Sequence, residues 1–133
     1  MALAREGHNL ILGYGNGTDR VSRLIDDIRA SYPVDATALQ LDLRDARATV
    51  AAVEGAIGAF GEIRCLVNNA GVNDRSSADG LDVQRIEDVL AINTVTPLTL
   101  ASAVGRRMIS DGIAGLADAA GSSHRLAWQP QGQ

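Results

Sequence analysis

Aromatic residues are scarce in this sequence and make up 3% of its 133 residues. The hydrophobic core must therefore be built from valine, isoleucine, leucine and alanine, since hydrophobic residues still amount to 46%. Cysteine is nearly absent as well. Cys65 is the single one, which excludes an intrachain disulfide and fits a reducing compartment.

Basic clusters are also missing, and the formal net charge is −4. This balance argues against nucleic acid and anionic membranes as partners. No apolar run approaches the ~20 residues that a membrane-spanning helix needs. The first seven residues lack the basic and apolar regions of a signal peptide. We therefore expect a cytoplasmic protein, and we expect no metal site.

Apolar runs of the kind found in buried strands alternate with segments of helical periodicity. The predicted strands cover residues 9–14, 36–41 and 63–67. The predicted helices begin at the capping residues Thr18, Asp45, Asp82 and Thr96. Because the strands are apolar on both faces, this order predicts an α/β fold with a doubly wound parallel sheet of the Rossmann-like type. The 133 residues form one domain.

Ligands of such sheets bind outside the carboxyl ends of the strands. In this sequence those ends fall at residues 14–16, 42–43 and 68–71. Candidate binding residues are therefore expected at these positions.

Three segments together resemble the short-chain dehydrogenase/reductase family. Leu66-Val-Asn-Asn-Ala-Gly71 resembles the family's motif after its fourth strand, and Asp42 follows an apolar strand as the family's adenine-contacting Asp does. Val89-Leu-Ala-Ile-Asn-Thr94 resembles the helix that carries the catalytic-tetrad Asn, here Asn93, at the usual separation from Asn68. The resemblance covers residues 1 to 111, and residues 112–133 match poorly.

The resemblance implies a set of cofactor-binding residues. Asp42 would accept a hydrogen bond from the adenine amino group, and the Leu43 N–H would donate to the ring. The backbones of Asn69, Ala70 and Gly71 would line the cofactor ribose, with the missing Cβ of Gly71 permitting close approach.

The resemblance also implies catalytic and structural roles. Asn68 would tie neighbouring strands together, and Asn93 would kink its helix and expose a carbonyl that holds a water of the proton relay. Ser123, 30 positions after Asn93, resembles the catalytic Ser. A plain Gly/Ser loop is the competing interpretation there, because Ala114–Gly121 is poor in strand-forming residues.

Each of the other assignments has a structural alternative. Asp42 could simply end its strand and cap the turn. The Asn-Asn-Ala-Gly stretch could be an ordinary turn, because Asn and Gly tolerate the left-handed conformation. Asn93 could end its helix ahead of Pro97.

The segment after the first predicted strand bears on cofactor choice. An acidic residue there would accept from the 2′-hydroxyl of NAD, but Gly13-Tyr-Gly-Asn-Gly17 contains none, and the first acid is Asp19. This favours NADP over NAD. Arg20 could reach a 2′-phosphate, although a solvated arginine at a helix start is the alternative.

Two hallmarks of the family are not found in the sequence. The glycine-rich pyrophosphate turn, TGxxxGxG, is missing, and Met1–Gly7 resembles the end of the family's first helix. The catalytic Tyr-x-x-x-Lys pair is missing too, and by the register of Ser123 it would fall beyond Gln133. We therefore expect a partial domain without the first strand and the C-terminal strands. Its strands at 9–14 and 63–67 would either pair directly or leave unpaired edges.

Three hypotheses about function follow. The first is a partial NAD(P)-dependent oxidoreductase domain for a carbonyl or alcohol substrate, inactive in isolation. The second is a non-catalytic nucleotide-binding or dimerisation module, consistent with a homo-oligomer. The third is a product of a misplaced start and an early stop or frameshift, suggested by the change in character after Gly112. The substrate is not indicated by these residues.

Overall fold

A computed structural model describes residues 1–73, 80, 82–119 and 125–128, with the backbone alone at 115–119 and 125–128. The chain divides into two compact units, Met1–Asp42 and Leu43–Gln133. The strands form two sheets, one in each unit, with the orders β1-β2 and β3-β4-β5.

The first unit contains a short helix and one strand–helix–strand motif. Its elements are α1 (Ala2–Arg5), β1 (Leu10–Tyr14), α2 (Thr18–Ser31) and β2 (Ala36–Gln40). The strands pair in parallel from Leu10 opposite Ala36 to Tyr14 opposite Gln40. Its core consists of the buried residues Ala4, Val21, Ile25, Ile28, Val34 and Ala36. The predicted strands and helix are confirmed here.

The ends of α2 show how local chemistry sets the bounds of a helix. The residue before the helix is Gly17, at φ 94°, and it provides no side-chain cap. The prediction of Thr18 as N-cap is therefore wrong, since Thr18 is the first helical residue. At the other end Tyr32 is extended (φ −139°, ψ 143°), as expected for the residue before Pro33.

The second unit holds the remaining elements. They are α3 (Ala46–Phe60), β3 (Cys65–Asn68), α4 (Val83–Leu90), a π-helical turn (Ala91–Val95), α5 (Thr96–Ser110), β4 (Gly115–Ala119) and β5 (Arg125–Trp128). β3 pairs with β4 in parallel, Cys65 opposite Leu116, and β4 pairs with β5 antiparallel, Gly115 opposite Trp128.

Strand β4 forms although the sequence at Ala114–Gly121 is poor in strand-forming residues. Glycine, alanine and aspartate are weak strand formers, but pairing with a neighbouring strand outweighs intrinsic preference. The antiparallel strand β5 was not predicted. Among the described residues, β1 pairs with β2 and β3 pairs with β4, and the other edge of β3 has no strand partner. Direct pairing of β1 with β3, one of the two expected arrangements, is therefore not observed.

Helix α3 begins at its predicted N-cap. The Asp45 side chain accepts from the Ala48 N–H at 2.9 Å, as expected of an N-cap. Within the helix, Gly55 and Gly58 have open space around them. A Cβ at either position would have no atom within 4 Å outside its own helix.

Helix α5 provides most of the core of the second unit. The four residues predicted to face inward, Leu100, Ala101, Val104 and Met108, are buried, together with Ala103 and with Ile57 of α3. By length and composition alone, the helical stretch Val83–Ser110 would suffice to cross a membrane, although the sequence holds no uninterrupted apolar run of that size. The buried face of α5 is also what a core helix of a soluble protein has.

Candidate functional site

The loop that follows β3 runs along the carboxyl end of that strand. Asn69, Ala70 and Gly71 are all exposed, and Gly71 is not among the glycines with positive φ. None of the described non-glycine residues has a positive φ either, so no residue of this loop adopts the left-handed conformation. The loop has no regular secondary structure, and its residues are exposed.

Asn93 holds this loop against the helical stretch through two hydrogen bonds. Its Oδ1 accepts from the Val72 N–H at 2.9 Å, and its Nδ2 donates to the Val72 carbonyl at 2.7 Å. This reciprocal pair fixes the side-chain amide and the Val72 peptide groups in one orientation. The backbone just before Val72, at Asn69 to Gly71, is therefore held in place from its C-terminal side.

The π-helical turn Ala91–Val95 has Asn93 at its centre. In an α-helix the Asn93 carbonyl would accept from the N–H of residue 97, but Pro97 has no N–H. The Thr96 N–H bonds instead to the Ala91 carbonyl, one residue further back than in an α-helix. The helix continues into α5, so the alternative that Asn93 ends its helix is wrong.

Thr96 differs from the prediction that it caps a helix. Its backbone is helical (φ −66°, ψ −46°), whereas an N-cap residue is extended. Its hydroxyl donates to the Leu43 carbonyl at 2.7 Å, and the residue is 0% exposed. Because the helical stretch runs through position 96, its hydroxyl bonds to the segment after β2 instead.

Asn68 also bonds to the start of α5. Its Nδ2 donates to the Pro97 carbonyl at 3.3 Å. This bond joins β3 to the start of α5, and Asn68 also pairs with Ala119 of β4. It anchors the residue from which the Asn69–Gly71 loop departs.

The segment between β2 and α3 contains the residues expected at the adenine. Asp42 is exposed and is the last residue of the first unit, and Leu43 begins the second. Leu41 donates from its N–H to the Tyr14 carbonyl at 2.8 Å. Asp42 therefore follows an anchored residue and precedes the Leu43 carbonyl that Thr96 holds.

The turn after β1 lies in the first unit. Gly17 is left-handed, and the Gln40 side chain donates to the Gly15 carbonyl at 3.1 Å. Arg20 is exposed on the first turn of α2.

The predicted site residues thus fall into three groups. Asn69, Ala70 and Gly71 lie on the loop that Asn93 holds, and a Cβ at Gly71 would lie 3.4 Å from the Asn93 Oδ1. Asp42 and Leu43 lie on the segment after β2. Ser123 lies outside the described residues. The bond between Thr96 and Leu43 was not predicted, and the only signal at position 96 was an apparent capping position before a proline.

The residues of the loop after β3 are exposed, and their backbone N–H and carbonyl groups are chemically able to form hydrogen bonds with a polar ligand. Glycines at 13, 15 and 17 precede α2, but the TGxxxGxG pattern that would meet the pyrophosphate does not occur in the sequence. In the described part of the chain, no group of three or more His, Cys, Asp or Glu side chains is placed to hold a metal ion.

These features agree with comparisons to known proteins. The sequence model of the short chain dehydrogenase family matches residues 1–120. The chain therefore belongs to the short-chain dehydrogenase/reductase family, with its Rossmann-like arrangement of parallel strands and helices.

Individual relatives point in the same direction. A short-chain dehydrogenase from Sphingobium yanoikuyae in complex with NADPH is 32% identical, with a TM-score of 0.79, and covers 92% of this chain and 46% of its own. One from Burkholderia cenocepacia J2315 in complex with NADP is 30% identical, with a TM-score of 0.75, over 80% of this chain and 43% of its own.

Among curated proteins, the 3-oxoacyl-[acyl-carrier-protein] reductase FabG of Staphylococcus aureus (strain Mu50) is 29% identical over 93 residues. That match covers 70% of this chain and 37% of the reductase. The chain thus spans less than half the length of the relatives it matches.

Proposed function

We propose that this chain is the cofactor-binding middle portion of an NAD(P)-dependent oxidoreductase that acts on a carbonyl or alcohol substrate. The observation that carries the proposal is the pair of hydrogen bonds between Asn93 and Val72. It fixes the exposed backbone of Asn69, Ala70 and Gly71 for a ribose, beside a π-helical turn whose central carbonyl lacks its α-helical donor.

The proposed cofactor is NADP, with NAD as the second choice. The turn Gly13–Gly17 contains no acid that would repel a 2′-phosphate, and Arg20 is exposed just after it. Two of the structural relatives were solved with NADP or NADPH, which supports the same choice. A calorimetric titration with NADP, NAD and ADP-ribose compares the affinities directly. Tighter binding of NAD than of NADP would contradict this preference.

We further propose that the 133 residues do not turn over substrate by themselves. The bound cofactor would supply or accept the hydride, while this chain would bind and orient it. Protonation of the carbonyl oxygen needs an acid, which in this family comes from a Tyr-x-x-x-Lys pair. The sequence contains no lysine at all, and its tyrosines are Tyr14 and Tyr32.

An NAD(P)H-coupled assay over a panel of ketones and alcohols tests this proposal. The expected result is binding of the cofactor without turnover. Turnover that Asn93→Ala abolishes, and that the matched variant Asn73→Ala retains, would contradict it. The absence of any dinucleotide binding would remove the cofactor-binding role itself.

A second candidate is a non-catalytic dimerisation module. Val83, Ile86 and Leu90 follow one face of α4 and are 69%, 38% and 53% exposed. An apolar helix face of this kind suits association with another copy. Sedimentation of the chain and of a Val83→Ser/Leu90→Ser variant tests this candidate. A monomer at all concentrations would exclude it. We propose a cytoplasmic location for either candidate, with neither nucleic acid nor membrane as partner.

A further inference from the structure

Thr96 is one of two polar residues that are buried among the described residues, the other being Thr49. Its hydroxyl group reaches 53 positions back along the chain to the Leu43 carbonyl. The Thr96 hydroxyl is buried and needs a partner, and its bond to the part-buried Leu43 carbonyl fixes the position of that carbonyl. The Thr96 hydroxyl therefore determines where the Leu43 carbonyl lies relative to the start of α5.

The segment that contains Leu43 has a second anchor just beyond it. The Asp45 carboxylate accepts from the Ala48 N–H and fixes the start of α3. With Thr96 holding Leu43 and Asp45 capping the helix, little freedom remains for the backbone between them. The Leu43 N–H belongs to the preceding peptide group and is joined to this fixed carbonyl through only the two backbone torsions of Leu43.

The same helical stretch also positions the loop after β3. Asn93 holds Val72, and three residues later Thr96 holds Leu43. The two contacts come from one turn of continuous backbone that includes the π-helical turn. The separation between the Leu43 backbone and the Asn69–Gly71 loop is therefore set within a single helical element.

We propose that Thr96 is a positioning residue for the adenosine half of the dinucleotide, acting through the Leu43 peptide groups. The proposal rests on the proposed cofactor-binding function. Thr96 touches no ligand in this scheme. It keeps the peptide groups of Leu43 in the geometry that an adenine ring would meet.

The alternative is a purely structural role, in which the methyl group of Thr96 packs in the core and its hydroxyl does not affect ligand binding. Three substitutions separate the hydroxyl from the methyl. Thr96→Ser keeps the hydroxyl and removes the methyl, Thr96→Val keeps the shape and removes the hydroxyl, and Thr96→Ala removes both. A positioning role predicts that binding follows the hydroxyl through this series.

The experiment is calorimetric titration of the full chain and these variants with AMP, which contains only the adenosine half, and with ADP-ribose, which adds the second ribose. Thr96→Val and Thr96→Ala are expected to weaken both ligands by the same factor, about tenfold for one lost buried hydrogen bond. Thr96→Ser is expected to bind both as the parent does. Asn93→Ala loosens the Asn69–Gly71 loop and leaves the bond between Thr96 and Leu43 in place, so it is expected to weaken ADP-ribose, which has two riboses, more than AMP, which has one.

Several results would overturn the proposal. One is AMP affinity that Thr96→Val leaves intact, and another is a Thr96→Ser variant as weak as Thr96→Ala. If Thr96→Val does not fold, Thr96→Ser still distinguishes the two roles, because loss of AMP binding in Thr96→Ser would assign the effect to the methyl group. If the parent chain binds neither ligand, the cofactor-binding function fails and this inference with it. If the parent binds and Thr96→Val binds equally well, only the inference fails.

Discussion

The reciprocal hydrogen bonds between Asn93 and Val72 make a quantitative prediction. Asn93→Ala removes both bonds, at 2.9 and 2.7 Å, without removing a buried apolar group, because Asn93 is exposed. A protein hydrogen bond contributes about 0.5–1.5 kcal/mol net, and exposure places these two toward the lower end. We expect a loss of about 1–2 kcal/mol in the free energy of unfolding, which is a fall of several degrees in Tm.

Two measurements check this prediction. Thermal unfolding followed by circular dichroism gives the change in Tm, and hydrogen exchange gives the protection of the Val72 amide, which loses its acceptor in the variant. Asn73→Ala is the matched control, since it makes the same chemical change in an exposed residue next to Val72. The control is expected to stay within about 0.5 kcal/mol of the parent. Unchanged protection of Val72 in Asn93→Ala would refute the assignment of these bonds.

Three further substitutions test other parts of the structure. Gly71→Ala is expected to leave Tm nearly unchanged, because an added Cβ would meet the Asn93 Oδ1 at an ordinary contact distance of 3.4 Å. The same variant is expected to bind ADP-ribose more weakly in calorimetry. Equal binding would contradict the idea that the ligand approaches this glycine closely. Asp45→Ala removes the cap on the Ala48 N–H and should cost about 1 kcal/mol in a denaturant melt, whereas Asp45→Asn should lose far less. Pro97→Ala restores an N–H for the Asn93 carbonyl, so the amide at position 97 should exchange slowly by NMR; fast exchange would show that proline does not cause the π-helical turn.

Sequence patterns predicted the parts of the fold that local chemistry determines. The alternation of strands and helices was recovered, and Asp45 and Asp82 cap their helices as predicted because a carboxylate ahead of a helix accepts from its free N–H groups. The failures occurred where distant residues decide the structure. β4 forms because β3 pairs with it, although its own residues are weak strand formers.

The candidate site shows the same division. Asn69, Ala70 and Gly71 could be placed on one exposed loop because a motif and a strand end marked them. Thr96 could not be placed, since its role depends on Leu43, far away in the sequence, and on a helix that continues where a proline suggested a new start. Nothing in the local pattern distinguishes a threonine that caps from one that bonds to a remote carbonyl.

The bond between Thr96 and Leu43 has a consequence for the order in which the protein becomes functional during its synthesis. It closes a loop of 53 positions, so the ordering entropy of that loop is lost before the bond contributes. The ribosome delivers Leu43 first, and Thr96 emerges only after α3, β3 and α4 have been made. On a nascent chain that ends before α5, the backbone at Leu43 therefore lacks the hydrogen bond that fixes it. It reaches its final geometry only when Thr96, at the start of that helix, has been made.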